Sequence, residues 1–267
     1  MFLAVRPAGA PLAVHCGPMG NLSGRVILIT GAARRVGAAI ARRLHGAGAQ
    51  VAVHYRSAAG EAEALVAELN ALRADSAAAF AADLARTALL PGLVAAVAAR
   101  FGRLDALVNN ASSFFPTPLG SIDEAAWDDL VGSNFKAPLF LSQAAAPHLA
   151  AAGGAIVNIT DIHAERPLAG YPLYCAAKGA LLALTRALAI ELAPVRVNAV
   201  SPGAILWPED GQFLGVEQAA IVGHTLLKRA GGPEDIAAAV HFLLAEAPYV
   251  TGQILNVDGG RTAHLSA

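Results

Sequence analysis

Tyr174 and Lys178 lie four positions apart, immediately before Leu181, Leu184 and Leu188, which point to a long apolar helix. On a helix, residues so spaced share a face, roughly 5–6 Å apart at Cβ. A phenol titrates near pH 10 in isolation, and a neighbouring ammonium favours its ionised form. The pair is therefore expected to have a lowered phenol pKa and to move protons near neutral pH. Tyr-x3-Lys is a common spacing, so its weight depends on its company. Upstream, an apolar run ends in Thr30-Gly31-Ala32-Ala33-Arg34-Arg35-Val36-Gly37. Glycines let backbone amides approach a pyrophosphate, and a helix that follows adds the positive end of its dipole. Gly31 and Gly37 supply that approach, while Arg34 and Arg35 can pair with phosphate bidentately. The next apolar run ends in His54-Tyr55-Arg56-Ser57. A site selective for NAD would place a carboxylate here for the ribose hydroxyls. A guanidinium and a hydroxyl stand there instead, which suits a 2′-phosphate and hence NADP(H). The plainer alternative makes Arg56 a solvated loop residue.

These residues need elements to hold them. Apolar runs at Arg25–Thr30, Gln50–Tyr55, Ala77–Ala81, Leu104–Asn109, Gly154–Thr160, Val195–Val200 and Gln253–Val257 read as strands. Most are continuously apolar, as parallel strands buried on both faces are. Helical spacing separates them: Val36, Ile40 and Leu44; Leu65, Leu69 and Leu72; Leu90, Leu93, Val94, Val97 and Phe101. Ser121 with Glu124 predicts a capping box for a helix through Trp127 and Leu130. Pro233, Glu234 and Asp235 mark another helix start. Alternating strands and helices imply an α/β, doubly wound single domain over 22–267. Residues 1–21 hold Pro7, Pro11, Pro18 and Arg6, and read as a flexible leader with Met19 a possible functional start.

The 267 residues carry 19 basic and 20 acidic side chains, a net charge of −1, which offers no field for nucleic acid. Mean hydropathy is +0.50, yet Arg42, Arg43, His148, Lys178 and prolines interrupt the Ala-rich runs. No stretch is expected to reach the roughly 20 apolar residues of a membrane span. The two cysteines, Cys16 and Cys175, are far apart, which fits a reducing, cytoplasmic setting. Cys175 reads as a buried thiol, with a reactive one as the alternative. The eight histidines show no metal-ligand spacing, and His45 and His241 read as surface or satisfied core positions. Asp128 and Asp129 read as solvated helix charge. A small-molecule or protein partner is what remains.

Five segments now combine: the Thr30–Gly37 turn, Asn109-Asn110-Ala111, Tyr174-x3-Lys178, Ser201-Pro202-Gly203 and Asp258-Gly259-Gly260. In this order they resemble the short-chain dehydrogenase/reductase family over about residues 22–262. The resemblance implies a seven-stranded parallel Rossmann-type sheet with helices on both faces, hydride transfer from a nicotinamide cofactor, and usually a homotetramer. It also assigns Lys178 to the nicotinamide ribose and Asn134 to a proton-relay water. Val36, His54, Tyr55, Ser57, Asp83, Leu84, Asn110, Ala111, Ser112, Pro202, Gly203 and Ile205 join the glycines and arginines along the cofactor.

Two departures narrow the resemblance. Most members carry a third glycine where this chain has Arg35, and a serine thirteen residues before the tyrosine where it has Asp161. A serine hydroxyl donates to a substrate carbonyl, whereas a carboxylate accepts from N–H groups. Both changes resemble the pteridine reductase branch, as do Asn110 to Pro116 (Asn-Ala-Ser-Ser-Phe-Phe-Pro) and Pro167-Leu168-Ala169-Gly170-Tyr171. That likeness implies a pterin stacked on Phe114, protonated by Tyr174 with Asp161 and Lys178 in support, and contacted by Arg35 and Ser112. Phe115 is expected to pack inward. Leu206 and Trp207 would belong to a lid near 206–214, with Trp207 either a pocket wall or a core residue. The rival readings are a carbonyl reductase such as a 3-oxoacyl-thioester reductase, and a non-catalytic NADP-binding scaffold.

Overall fold

The computed structural model describes residues 20–207 and 215–263. The first nineteen residues, including Cys16 and Met19, lie outside the described residues, as do residues 208–214 of the lid expected near 206–214.

Each apolar run forms a strand: β1 Val26–Ile29, β2 Gln50–Tyr55, β3 Ala77–Ala81, β4 Ala106–Asn109, β5 Ala155–Ile159, β6 Arg196–Pro202 and β7 Ile254–Val257. Four are a residue or two shorter than the apolar runs, because ladder pairing ends before hydropathy does. All pair in parallel in the order β3-β2-β1-β4-β5-β6-β7. The order turns at β1 and β4. Successive loops then leave the carboxyl edge in opposite directions and open a crevice, the usual ligand site of such sheets.

Helices α1 Arg35–Gly46, α2 Ala59–Leu72 and α8 Pro233–Ala245 cover one face; α3 Leu90–Phe101, α5 Ala137–Ala152 and α6 Pro172–Glu191 cover the other. Within β1, Ile27 and Ile29 join the first core while Val26 and Leu28 join the second, each fully buried. That division is the physical content of an unbroken apolar run: both faces of the pleat are covered. Two shorter helices, α4 Glu124–Val131 and α7 Gly215–Gly223, flank the crevice.

Three expectations change. Leu72 is 76% exposed, because α2 ends there and turns its last residue outward. The cap of α4 is Asp123, whose carboxylate accepts from Ala126 N–H at 2.8 Å. Ser121 instead donates to the Pro118 carbonyl. By length and composition α6 does qualify as a membrane span, contrary to the reading of its interrupted runs. Half of it is buried within the protein, however, as in the core helix of a globular domain.

Candidate active site

The phosphate-binding turn is shaped by contacts that exclude side chains. Gly31 has φ +60°, with Ala111 Cα 3.0 Å from where a Cβ would stand. A Cβ on Gly37 would fall 2.3 Å from the Gly31 carbonyl oxygen and 2.7 Å from Asn110 Nδ2. Arg35 has a φ of +54°, in the left-handed region that favours glycine. The turn is also tied to its neighbours. Asn110 Nδ2 donates to the Thr30 and Gly31 carbonyls, while Thr30 Oγ1 accepts from the N–H groups of Asn110 and Ala111 at 2.9 and 3.0 Å.

His54, assigned to the cofactor site, lines the cleft and also holds backbone. Its Nδ1 lies 3.1 Å from Gly31 N–H and its Nε2 3.1 Å from the Ala82 carbonyl, so both ring nitrogens hold backbone. The first contact needs an acceptor and the second a donor, which selects the neutral Nε2–H ring. Burial lowers its pKa to about 4, although the Ala82 bond opposes this. His54 thus braces the turn that was expected to bind phosphate.

The proton-transfer groups meet at the carboxyl ends of β4 and β5. Tyr174, on the first turns of α6, donates to Asp161 Oδ2 at 2.8 Å, and Asp161 Oδ1 accepts from His163 N–H at 2.8 Å. Lys178 is buried, with Nζ 2.9 Å from the Ile159 carbonyl and 5.8 Å from the Tyr174 ring centre. The expected lowering of the phenol pKa is reversed. Burial first, then the charge and hydrogen bond of Asp161, push Tyr174 well above its ordinary value. The carboxylate touches the hydroxyl, whereas the ammonium reaches only the ring. Burial also lowers Lys178 to about 8, with Asp161 pulling it partly back.

Asn134 sits on a π-turn, Gly132–Lys136, between α4 and α5. It is fully buried, donates to the Ser113 and Leu130 carbonyls, and accepts from Ser112 Oγ at 2.7 Å. The Ser112 hydroxyl in turn favours the Tyr174 phenolate. Phe114 stacks on Tyr171 with centroids 4.7 Å apart at 12°, and meets Tyr174 edge-on at 4.8 Å. Phe115 packs toward the small core around Leu130 and Leu173, as expected.

These groups share one cleft of about 940 Å³. Every residue assigned above to cofactor or substrate lines it, Leu206 and Trp207 included, so Trp207 is a wall residue. Asn134 alone of the assigned residues stands behind the wall. The Trp207 carbonyl accepts from Arg35 Nη2 at 3.2 Å. Sequence reasoning passed over several neighbours. Asp128 and Asp129 line the cleft, and Asp129 accepts from Ser113 Oγ at 2.5 Å, so they are not merely solvated helix charge. His163 and Arg261 also line it. A helical plot of α4 gives no signal for the first two, because their cleft exposure depends on where α4 sits. Among the described residues no cluster has metal-binding composition.

Residues 31–262 match the family model described as enoyl-(acyl carrier protein) reductase. The chain belongs to the short-chain dehydrogenase/reductase family. As a member it is an NAD(P)-dependent oxidoreductase. The chain is 39% identical to pteridine reductase 1 of Leishmania tarentolae, across 88% of this chain and 95% of that one. It is 39% identical to L-fucose dehydrogenase of Oryctolagus cuniculus, across 89% and 85%. It is 35% identical to a 3-oxoacyl-(acyl-carrier-protein) reductase of Staphylococcus epidermidis, across 87% and 97%. Relatives with three different named activities lie within a few per cent of one another, so overall identity does not select a substrate for this oxidoreductase. The glycine cradle, which side chains would fill, and the arginines at the ends of β1 and β2 fit a dinucleotide.

Proposed function

We propose that the protein is an NADPH-dependent pteridine reductase, acting on a pterin or dihydropterin. The observation that carries this reading is the hydrogen bond from Tyr174 to Asp161, where a carbonyl-reducing relative would offer a second hydroxyl. A carboxylate cannot donate to a carbonyl oxygen and opposes a developing alkoxide beside it. It can accept from the N–H groups of a heterocycle.

The nicotinamide cofactor, when bound, supplies the hydride. Tyr174, kept protonated by burial and by Asp161, gives a proton to the ring nitrogen adjacent to the reduced carbon. Lys178, charged below about pH 8, offsets the phenolate left behind, and Ser112 with Asn134 links that oxygen to a hydroxyl path. Phe114 offers a flat face for the pterin, with offset stacking adding about 1 kcal/mol beyond area burial. Arg56 lines the cleft with no hydrogen-bonded or ionic partner among the described residues, which supports a 2′-phosphate ligand and NADPH over NADH. The Ala-rich helices α5 and α6 support assembly as a homotetramer.

Asp161→Ser tests the reading against carbonyl reduction. With NADPH we expect dihydrobiopterin turnover to fall about a hundredfold or more, with the fold intact by circular dichroism. Full pterin activity in that variant, or parent turnover of acetoacetyl thioester but of no pterin, would overturn it.

A further inference from the structure

Four arginines line the cleft: Arg34, Arg35 and Arg56 follow β1 and β2, whereas Arg261 follows β7 at the opposite end of the sheet. Adjacent strands are about 4.8 Å apart, so β7 lies about 24 Å across the sheet from β2 but only about 10 Å from β5, which leads into Asp161. A cofactor whose phosphates rest on the β1 and β2 turns leaves Arg261 unexplained.

Its position is built rather than incidental. Asp258 Oδ1 accepts from Gly260 N–H at 2.9 Å, and Oδ2 accepts from the N–H and hydroxyl of Thr262, both at 2.7 Å. Asn256 Nδ2 adds a bond to Thr262 Oγ1 at 3.1 Å. Gly259 and Gly260, with φ of +63° and +81°, complete the turn that presents Arg261. Arg261 is partly buried, and its guanidinium has no hydrogen-bonded or ionic partner among the described residues. Most carboxylates of the cleft and of this turn have other partners. Asp161 takes Tyr174 and His163, Asp258 takes its own turn, and Asp129 takes Ser113. Asp128 remains on α4, and His163 adds a second basic side chain to the lining.

We propose that Arg261 is a specificity-determining residue that binds an anionic group on the substrate's side chain. This rests on the pterin reading above. A ring held between Phe114 and Asp161 sits over β4 and β5, with the cofactor toward β1. Its side chain then runs toward β6 and β7, where a carboxylate meets Arg261. The enzyme accordingly favours pterins with carboxylate-bearing side chains over those with neutral polyol side chains.

The experiment compares dihydrofolate, whose tail is anionic, with dihydrobiopterin, whose tail is neutral, in the parent, Arg261→Ala and Arg261→Lys enzymes. Arg261→Ala should lower the kcat/KM ratio of dihydrofolate to dihydrobiopterin about fivefold, the size expected of one partly exposed ion pair. The loss should be carried in KM, with Arg261→Lys restoring part of it. Raising ionic strength should weaken dihydrofolate more than dihydrobiopterin in the parent and equally in Arg261→Ala. An unchanged ratio in Arg261→Ala, or a parent that reduces dihydrobiopterin but not dihydrofolate, overturns this role alone. A parent that reduces neither overturns the pterin reading and this inference together.

Discussion

Tyr174 keeps its proton because it is buried and donates to Asp161, and in the proposed step Lys178 balances the charge left when that proton departs. Tyr174→Phe should lower kcat for pterin reduction by about 10²- to 10⁴-fold while leaving NADPH binding, measured by fluorescence titration, near the parent value. The balance also sets a pH limit. Lys178 is charged below about pH 8 and neutral above it, so kcat/KM should decline as pH rises past about 8, a limb absent from the residual activity of Lys178→Met. His54 titrates with the opposite consequence, for stability. Its folded pKa of about 4 lies below the ordinary 6.5, so between those values the unfolded chain binds the extra proton. Stability is therefore present above pH 6.5 and lost as pH falls toward 4, by up to about 3 kcal/mol. His54→Asn keeps an acceptor for Gly31 and removes the titration. In urea denaturation the gap between parent and variant should narrow from pH 7 to pH 5; a constant gap would contradict this role for His54.

The turn between β1 and α1 carries two demands that separate experimentally. Arg35→Gly relieves left-handed strain of about 1 kcal/mol, and the greater chain entropy of glycine offsets it. The melting temperature should thus stay near that of the parent while KM for NADPH rises. Gly37→Ala meets the Gly31 carbonyl and Asn110 instead, so it should weaken NADPH binding about tenfold or more by displacing backbone. Most elements were legible because their apolar spacing reports burial directly. The cap of α4 was not: Ser121 and Asp123 are both good caps, and only the path of the chain decides which carboxylate or hydroxyl faces the first free amides. The π-turn that buries Asn134 likewise left no mark in the periodicity.

At the scale of the molecule, the two faces of the sheet are closed by helices, yet α6 leaves Ile190 81% exposed beside Ala183 and Ala187. Light scattering at micromolar concentration should give four times the chain mass; a monomer would contradict the assembly proposed from α5 and α6.

The sequence by itself determined the strand and helix succession, the glycine turn, the Tyr174–Lys178 pair and the two departures at Arg35 and Asp161. These are local facts, written in residue type and spacing. Only the tertiary structure decided the direction of the Tyr174 pKa, the bracing role of His54, and the arrival of Asp129 and Arg261 at the cleft. Each depends on distances between elements remote in the chain: β7 brings Arg261 within about two strand spacings of β5, and no periodicity encodes that. A phenol four residues from an ammonium was expected to be the more acidic for it. In the folded protein the nearer charge is the carboxylate thirteen residues away, and proximity in space, not in sequence, sets the field.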